Sequence, residues 1–192
     1  MKHHENVKIV AFVGLAGSGK STAVDYLTEK GYPKVYFGGI VLEEVKKRGL
    51  ELTQENEQPI REELRASEGK DFVVRRIITQ VHDLIVAGQH RIVADGLYSW
   101  TEYKALKHEF PGELTVIAVV APKHLRKSRM ANRPVRPLTS EQVDQRDWAE
   151  IENIEKGGPI AIADHYIIND GTVEKLHEQL DNELNHIEFY DQ

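Results

Sequence analysis

The run Gly14-Leu15-Ala16-Gly17-Ser18-Gly19-Lys20-Ser21 constrains this chain more than any other stretch. It matches G-x-x-x-x-G-K-[ST], and by composition alone such a match arises somewhere in a chain of this size with a probability of about half a percent. Its setting sharpens it. Residues 7–13 read as a buried apolar strand, and residues 20–30 read as a helix ended by Gly31. A strand, a glycine-rich turn and a helix in that order make a cradle for phosphate. The glycines let backbone N–H groups turn inward with no Cβ in the way, and the helix N-terminus adds partial positive charge. Lys20 is expected to reach β- and γ-phosphates and the Ser21 hydroxyl to ligate Mg²⁺. An incidental glycine-rich turn is the competing reading.

The rest of the chain alternates strand and helix. Residues 90–94, 113–120 and 165–168 read as strands, and residues 34–37 as a weaker, shorter one. Helices are expected over about 40–48, 55–67, 72–87, 99–108 with Ser99 as N-cap, after Pro122, over 140–154 and over 172–187. Residues 132–137, with two prolines, and Gly157-Gly158-Pro159 read as breaks. The clear strands are apolar runs rather than alternating ones, which is the pattern of parallel strands buried on both faces. The expected fold is a three-layer α/β domain with a parallel five-stranded sheet and helices on both faces.

Three further elements carry chemistry. Asp95-Gly96 ends a strand, where an α/β sheet binds ligands, and Asp95 beside a phosphate loop can hold Mg²⁺ directly or through water. An Asp-Gly turn would look the same. Residues 114–140 hold Lys123, Arg126, Lys127, Arg129, Arg133 and Arg136 and no acid. Arg129 and Arg133 fall on one helical face and can clamp a phosphoryl group under a closing loop, although a solvated basic face is the plain alternative. The strand end Asn169-Asp170-Gly171 can contact a base through its backbone or simply cap the next helix. Between residues 38 and 88, Arg61, Arg65, Arg75 and Arg76 are candidates to face a second anionic substrate, with Arg61 better read as part of a salt-bridged surface.

Composition narrows the partners. The 192 residues carry 25 Lys+Arg against 31 Asp+Glu, a formal charge of −6, and no cysteine. Disulfide scaffolds, Cys-ligated metals and thiol catalysis are excluded, and broad nucleic-acid or membrane-surface binding is argued against. No segment approaches the ~20 apolar residues of a membrane span. The N-terminus reads as too short and polar for a secretory signal, and a cytoplasmic setting is expected. His3 and His4 there are as readily a tail as metal ligands. The charge is uneven: residues 1–140 sum to +5 and residues 141–192 to −11, so the acidic C-terminal helices read as solvated outer surface.

The phosphate loop, the Asp95-Gly96 strand end, Arg129-x-x-x-Arg133 and Ala163-Asp164…Ile168-Asn169-x-Gly171 occur in that order. In this the chain resembles the nucleoside-monophosphate-kinase superfamily. Within it, the chain is most similar to dephospho-CoA kinase and to the adenylate-kinase-related P-loop proteins of archaea. With the latter the likeness includes Arg48-Gly49, Arg65-x-x-Glu68-Gly69 and Arg146-Asp147. The resemblance implies one kinase-like domain over 1–192, with core segments 7–37, 89–128 and 141–192, a helical acceptor-binding insert at about 38–88 and a lid at about 129–140. It implies ATP with Mg²⁺ held at Gly14, Leu15, Ala16, Gly17, Ser18, Gly19, Lys20, Ser21 and Thr22, with Arg129, Asn169 and Gly171 near the nucleotide. It implies Lys20, Asp95, Arg129 and Arg133 in catalysis, Ser21 and Asp95 at the metal, and Gly38, Arg65, Arg76, Gly96 and Tyr98 around the acceptor.

Two departures stand out. Archaeal relatives tend to carry Gly-Asp after the second strand and an Arg three residues on; here those positions are Gly38-Gly39 and Leu42. Adenylate-kinase-like members often place Arg where this chain has Tyr98. The expected activity is transfer of the ATP γ-phosphate to a small phosphorylated or nucleotide-like acceptor, by a monomer or small homo-oligomer. The alternative is a nucleotide-binding regulatory protein with little transfer. A GTPase is disfavoured by the lack of an Asn-Lys-x-Asp sequence.

Overall fold

The computed structural model of the chain describes residues 6–134 and 136–190. His3 and His4 lie outside the described residues, as does Val135 in the expected lid. Five parallel strands, β1 (Lys8–Val13), β2 (Lys34–Tyr36), β3 (Arg91–Asp95), β4 (Leu114–Val120) and β5 (His165–Ile168), form one sheet in the order β2-β3-β1-β4-β5. The first strand is central, in register with β3 through Ile9↔Ile92 and with β4 through Ile9↔Leu114. Its C-terminal end therefore opens at the middle of the sheet, beside the end of β3, where crossovers leave in opposite directions and a crevice forms.

Both faces of the sheet are dry. Along β1, Ile9, Ala11 and Val13 join one apolar cluster while Val10 and Phe12 join the other; in β4, Val116 and Ala118 go one way and Ile117 and Val119 the other. On the second side the sheet is covered by α1 (Lys20–Glu29) and α9 (Val173–His186) through Val24, Leu27, Leu176, Leu180 and Leu184. On the first side lie α2 (Gly39–Lys47), α3 (Gln54–Glu68), α4 (Phe72–Val86) and α5 (Trp100–Glu109). Val45, Leu64, Ile77 and Leu106 of these helices share one cluster with Ile9 and Ile92. The helical segment 38–88 is thus continuous with the main core. Truncating Phe12, which has no exposed surface, to Ala would cost about 3–5 kcal/mol.

Two sequence expectations are corrected. Gly157-Gly158-Pro159 is not a break: it opens the short helix α8 (Gly157–Ala161). Pro159 falls in the first turn, where its missing N–H costs no helical hydrogen bond. Trp100 and Trp148 both read from the sequence as packing residues; Trp148 is instead 63% exposed, whereas Trp100 stacks on Tyr103 with ring centroids 5.3 Å apart. The remaining helices, α6 (Lys123–Asn132) and α7 (Ser140–Ile154), flank the basic loop of residues 133–139. Among the described residues, no helix is long and apolar enough to cross a membrane.

Candidate functional site

The glycine-rich turn after β1 wraps one end of a cavity of about 650 Å³, and each residue from Gly14 to Thr22 lines it. Helix α1 starts at Gly19, whose left-handed backbone (φ 100) suits glycine. A side chain there would collide with the Asn169 amide. Helices α3, α5, α7 and α9 are capped by the side chains of Thr53, Ser99, Thr139 and Thr172; among the described residues α1, like α2, α4, α6 and α8, has no side-chain cap. Its first-turn N–H groups are therefore left for an anion. The buried Ser18 hydroxyl has no hydrogen-bond partner.

The loop is braced from behind by three side chains. Asn169, at the end of β5, donates from Nδ2 to the Ser18 carbonyl at 2.8 Å. Arg129 donates from Nη1 to the Gly17 carbonyl (3.3 Å) and from Nη2 to the Asn169 carbonyl (3.0 Å). Arg126 donates to the Ala16 carbonyl at 3.1 Å. Asn169, Gly171, Arg129 and Arg133 all line the cavity. The Asn169 amide, however, is spent on the loop, so its structural part is to shape the cradle. Thr172 caps α9 by accepting from Lys175 N, so the cavity-lining and capping readings of this turn hold together.

Asp95 ends β3 at 9% exposure and accepts an ion pair from Lys20; its other oxygen lies 4.0 Å from Lys34 Nζ. Ser21 offers a hydroxyl at the first turn of α1. A hydroxyl and a carboxylate are hard oxygen donors that suit Mg²⁺, whose other ligands would be water and phosphate oxygens. Among the described residues, no group of three or more His, Asp or Glu side chains is placed to hold a metal by itself.

The basic segment was expected to lack acidic partners, and the C-terminal acids to be solvated. Both readings are corrected. Asp144 of α7 pairs with Lys123 (2.6 Å) and Lys127 (2.7 Å), which hold its carboxyl below the ordinary aspartate value. Asp147 takes both Arg126 guanidinium nitrogens, at 2.9 and 2.7 Å, in a buried bidentate pair. Helix α7 thereby pairs two carboxylates with three of the six cations, leaving Arg129 and Arg133 at the cavity. Arg133 donates from Nε to the Arg136 carbonyl, and Arg136 itself is exposed.

A second cavity, about 630 Å³, lies between β2, the helical segment and the end of α7. Gly38 and Arg65 line it; Tyr98 lines both cavities and forms the wall between them. Arg76 and Gly96 belong to neither lining among the described residues. Arg76 is tied to Glu68, which argues against an acceptor contact. Gly96 (φ 96) lies beneath the Tyr98 ring, where a Cβ would come within 2.8 Å of it. Arg61 lines the second cavity as well and pairs with Glu57 at 3.6 Å, and Arg75 pairs with Asp71.

The α5 capping box locks the dividing wall. The Glu102 carboxylate accepts from the backbone N–H groups of Tyr98 (2.8 Å) and Ser99 (2.9 Å). Burial pushes the Glu102 carboxyl up, partly offset by those bonds, and burial pushes the Tyr98 phenol well above its usual value.

Sequence reasoning gave no role to Arg146, Glu150 and Lys156, which line the first cavity. Glu150 accepts from Arg146 Nε (2.9 Å) and from Lys156 Nζ (2.7 Å). The i, i+4 spacing of Arg146 and Glu150 was a usable signal for their pairing. Lys156 falls just before what reads as a glycine break.

A family model described as an AAA domain matches residues 10–149. A UPF0200 protein of Thermococcus gammatolerans is 38% identical over 175 residues, covering 90% of this chain and 91% of that one. Two solved structures share the fold. TT1252 from Thermus thermophilus has a TM-score of 0.63 at 20% identity, covering 96% of this chain and 98% of its own. Shikimate kinase from Bacteroides thetaiotaomicron has a TM-score of 0.58 at 10% identity, covering 94% and 98%. With its parallel five-stranded sheet, glycine-rich cradle and flanking helices, this chain belongs to the UPF0200 family and carries a P-loop domain.

Proposed function

We propose that the chain is an ATP-dependent phosphotransferase that moves the γ-phosphate to a small phosphorylated or nucleotide-like acceptor, of the dephospho-CoA or nucleoside-monophosphate kind. The observation that carries this reading is the pair of cavities meeting at Tyr98, one built on a phosphate cradle and the other beneath the helical segment. ATP would occupy the first, with Mg²⁺ held by Ser21 and Asp95 and its phosphates met by Lys20 and the α1 N-terminus. The metal would neutralise charge on the phosphate oxygens.

The acceptor would lie in the second cavity near Gly38, Arg65 and Tyr98. Its nucleophilic oxygen, a hydroxyl in a dephospho-CoA-like acceptor or a phosphate oxygen in a nucleoside monophosphate, forms the new bond to the γ-phosphorus as the bond to the β,γ-bridging oxygen breaks. ADP leaves, and a hydroxyl nucleophile passes its proton to water. The transition state is loose, so positioning and charge do most of the work and no strong base is required. Gly39 in place of a carboxylate is therefore compatible with turnover. Arg129 and Arg133 would gather charge on the transferring group. Replacing either by Ala should lower kcat by ~10²–10³, and unchanged kcat in both variants would remove them from the chemistry. A cytoplasmic setting, where ATP is abundant, belongs to the same reading.

The test is a thermal-shift series with a non-hydrolysable ATP analogue and a panel of acceptors, followed by product analysis with ATP. Saturation at 100 Kd stabilises a fold by about 2.7 kcal/mol, so even a weak ligand registers at millimolar concentration. No shift with any nucleotide rejects the reading. A nucleotide shift without product from any acceptor favours instead a regulatory nucleotide binder. One observation favours that second reading: the Tyr36 ring packs over Gly38-Gly39, at the position where a carboxylate would assist the acceptor.

A further inference from the structure

Lys156 has no counterpart among the roles assigned so far. It is 3% exposed, less than any other basic residue described, yet it lines the loop cavity. Lysines are rarely buried this deeply unless paired. Its Nζ donates to Glu150 and lies 5.0 Å from the centre of the Tyr98 ring; Lys20 Nζ lies 5.9 Å from the same centre. Lys156 sits at the boundary between the cavities, because Glu152, Asn153, Ile154 and Glu155, just before it in the chain, line the second one.

The backbone there is unusual too. Helix α7 ends through Glu155 in the left-handed region (φ 54), a conformation that non-glycine residues adopt where their surroundings impose it, often at ligand clamps. The Lys156 N–H then donates to the Glu150 carbonyl at 3.2 Å, so backbone and side chain of Lys156 are both fixed to the same residue. Helix α8, which follows, is seated by Gly158 against the Trp100 ring.

A buried Lys–Glu pair is weak support for stability, since an apolar pair of similar volume would hold the fold as well. Burial also holds the Lys156 ammonium below its ordinary value, with Glu150 partly offsetting. An anion at this boundary would repair that deficit.

We propose that Lys156 is a second γ-phosphate cation: held by Glu150, it donates to a γ-phosphate oxygen of the bound triphosphate from the side of the Tyr98 wall, opposite Lys20. The proposal rests on the reading of the loop cavity as the ATP site. A diphosphate would end short of Lys156, so this residue would separate triphosphate from diphosphate.

The test is calorimetric titration of the full chain with MgADP and with the Mg complex of β,γ-imido-ATP, on wild type, Lys156→Met and Lys156→Arg. Lys156→Met should weaken the triphosphate analogue by about tenfold or more and MgADP by less than about twofold, while Lys156→Arg should recover most of the loss. A merely structural lysine would lower both affinities alike or neither, and either result overturns the proposal. If Lys156→Met does not fold, the Nζ resonance of ¹⁵N-labelled Lys156 in wild type, assigned with Lys156→Arg, decides. It should shift with the triphosphate analogue and not with MgADP; an equal shift, or none, is fatal. Wild type that binds neither nucleotide rejects the ATP reading itself. Wild type that binds both, with no selective loss in Lys156→Met, rejects only the role of Lys156.

Discussion

The two cavities that meet at Tyr98 are nearly equal in volume, about 650 and 630 Å³, and are built on opposite principles. The first is drawn around nine consecutive residues, and its principal donors are backbone N–H groups fixed by one strand and one helix. The second is assembled from side chains at the end of β2, the α3–α4 junction, the start of α5 and the end of α7. A backbone cradle has one geometry and one chemistry. A side-chain pocket changes its ligand whenever a side chain changes, so the same fold can keep its donor and exchange its acceptor.

The contrast can be attacked from either side. The largest effect is expected from Lys20→Ala, which should reduce transfer by about 10³-fold or more in steady-state assays while an acceptor still protects the second cavity in thermal shifts. Loss of acceptor protection as well would mean that the cavities are not separable. Next comes Asp147→Ala, which strands the buried Arg126 guanidinium behind the loop. It should cost about 3–5 kcal/mol and about 10 °C or more in melting temperature. A change under about 1 kcal/mol in urea titration would show that the loop is held without this pair.

Arg65→Ala is smaller and local. If Arg65 meets an anionic group of the acceptor, the acceptor KM should rise by about tenfold with the ATP KM unchanged. The reverse pattern would put Arg65 on the wrong side of the Tyr98 wall.

Asp144→Asn should have the least effect, read through pH. Lys123 and Lys127 hold the Asp144 carboxyl below its unfolded value. Its contribution is therefore complete above the unfolded aspartate value and disappears as pH falls through the lowered folded one. The urea midpoint of wild type should fall slightly more than that of Asp144→Asn between about pH 5 and about pH 2. Parallel curves would mean that the pairs on α6 carry no stability.

The same contrast explains what was legible in the sequence. The loop from Gly14 to Thr22, the apolar strands and the cap Ser99 are local patterns, and local patterns survive in one dimension. Even β5, only four residues long, is bounded by its apolar run. What escaped detection is convergence. The charge of residues 114–140 looked unbalanced because its partners, Asp144 and Asp147, follow in the next helix. Arg76 looked available because Glu68, eight residues away, is neither i+3 nor i+4. Lys156 reaches the cavity just after Glu155 turns left-handed, and a conformation that glycine usually supplies leaves no mark when glutamate adopts it.

The buried Arg126–Asp147 pair, together with Asp144 on Lys123 and Lys127, fastens α6 to α7 on the helical side of residues 133–139. The segment between them is then a loop with tethered ends. Such a loop is free to change in length: doubling it would cost only about 0.6 kcal/mol in closure entropy. Insertion and deletion should therefore be tolerated at this one place over the phosphate cradle, so that evolution can alter how completely water is shut out while the machinery beneath stays untouched.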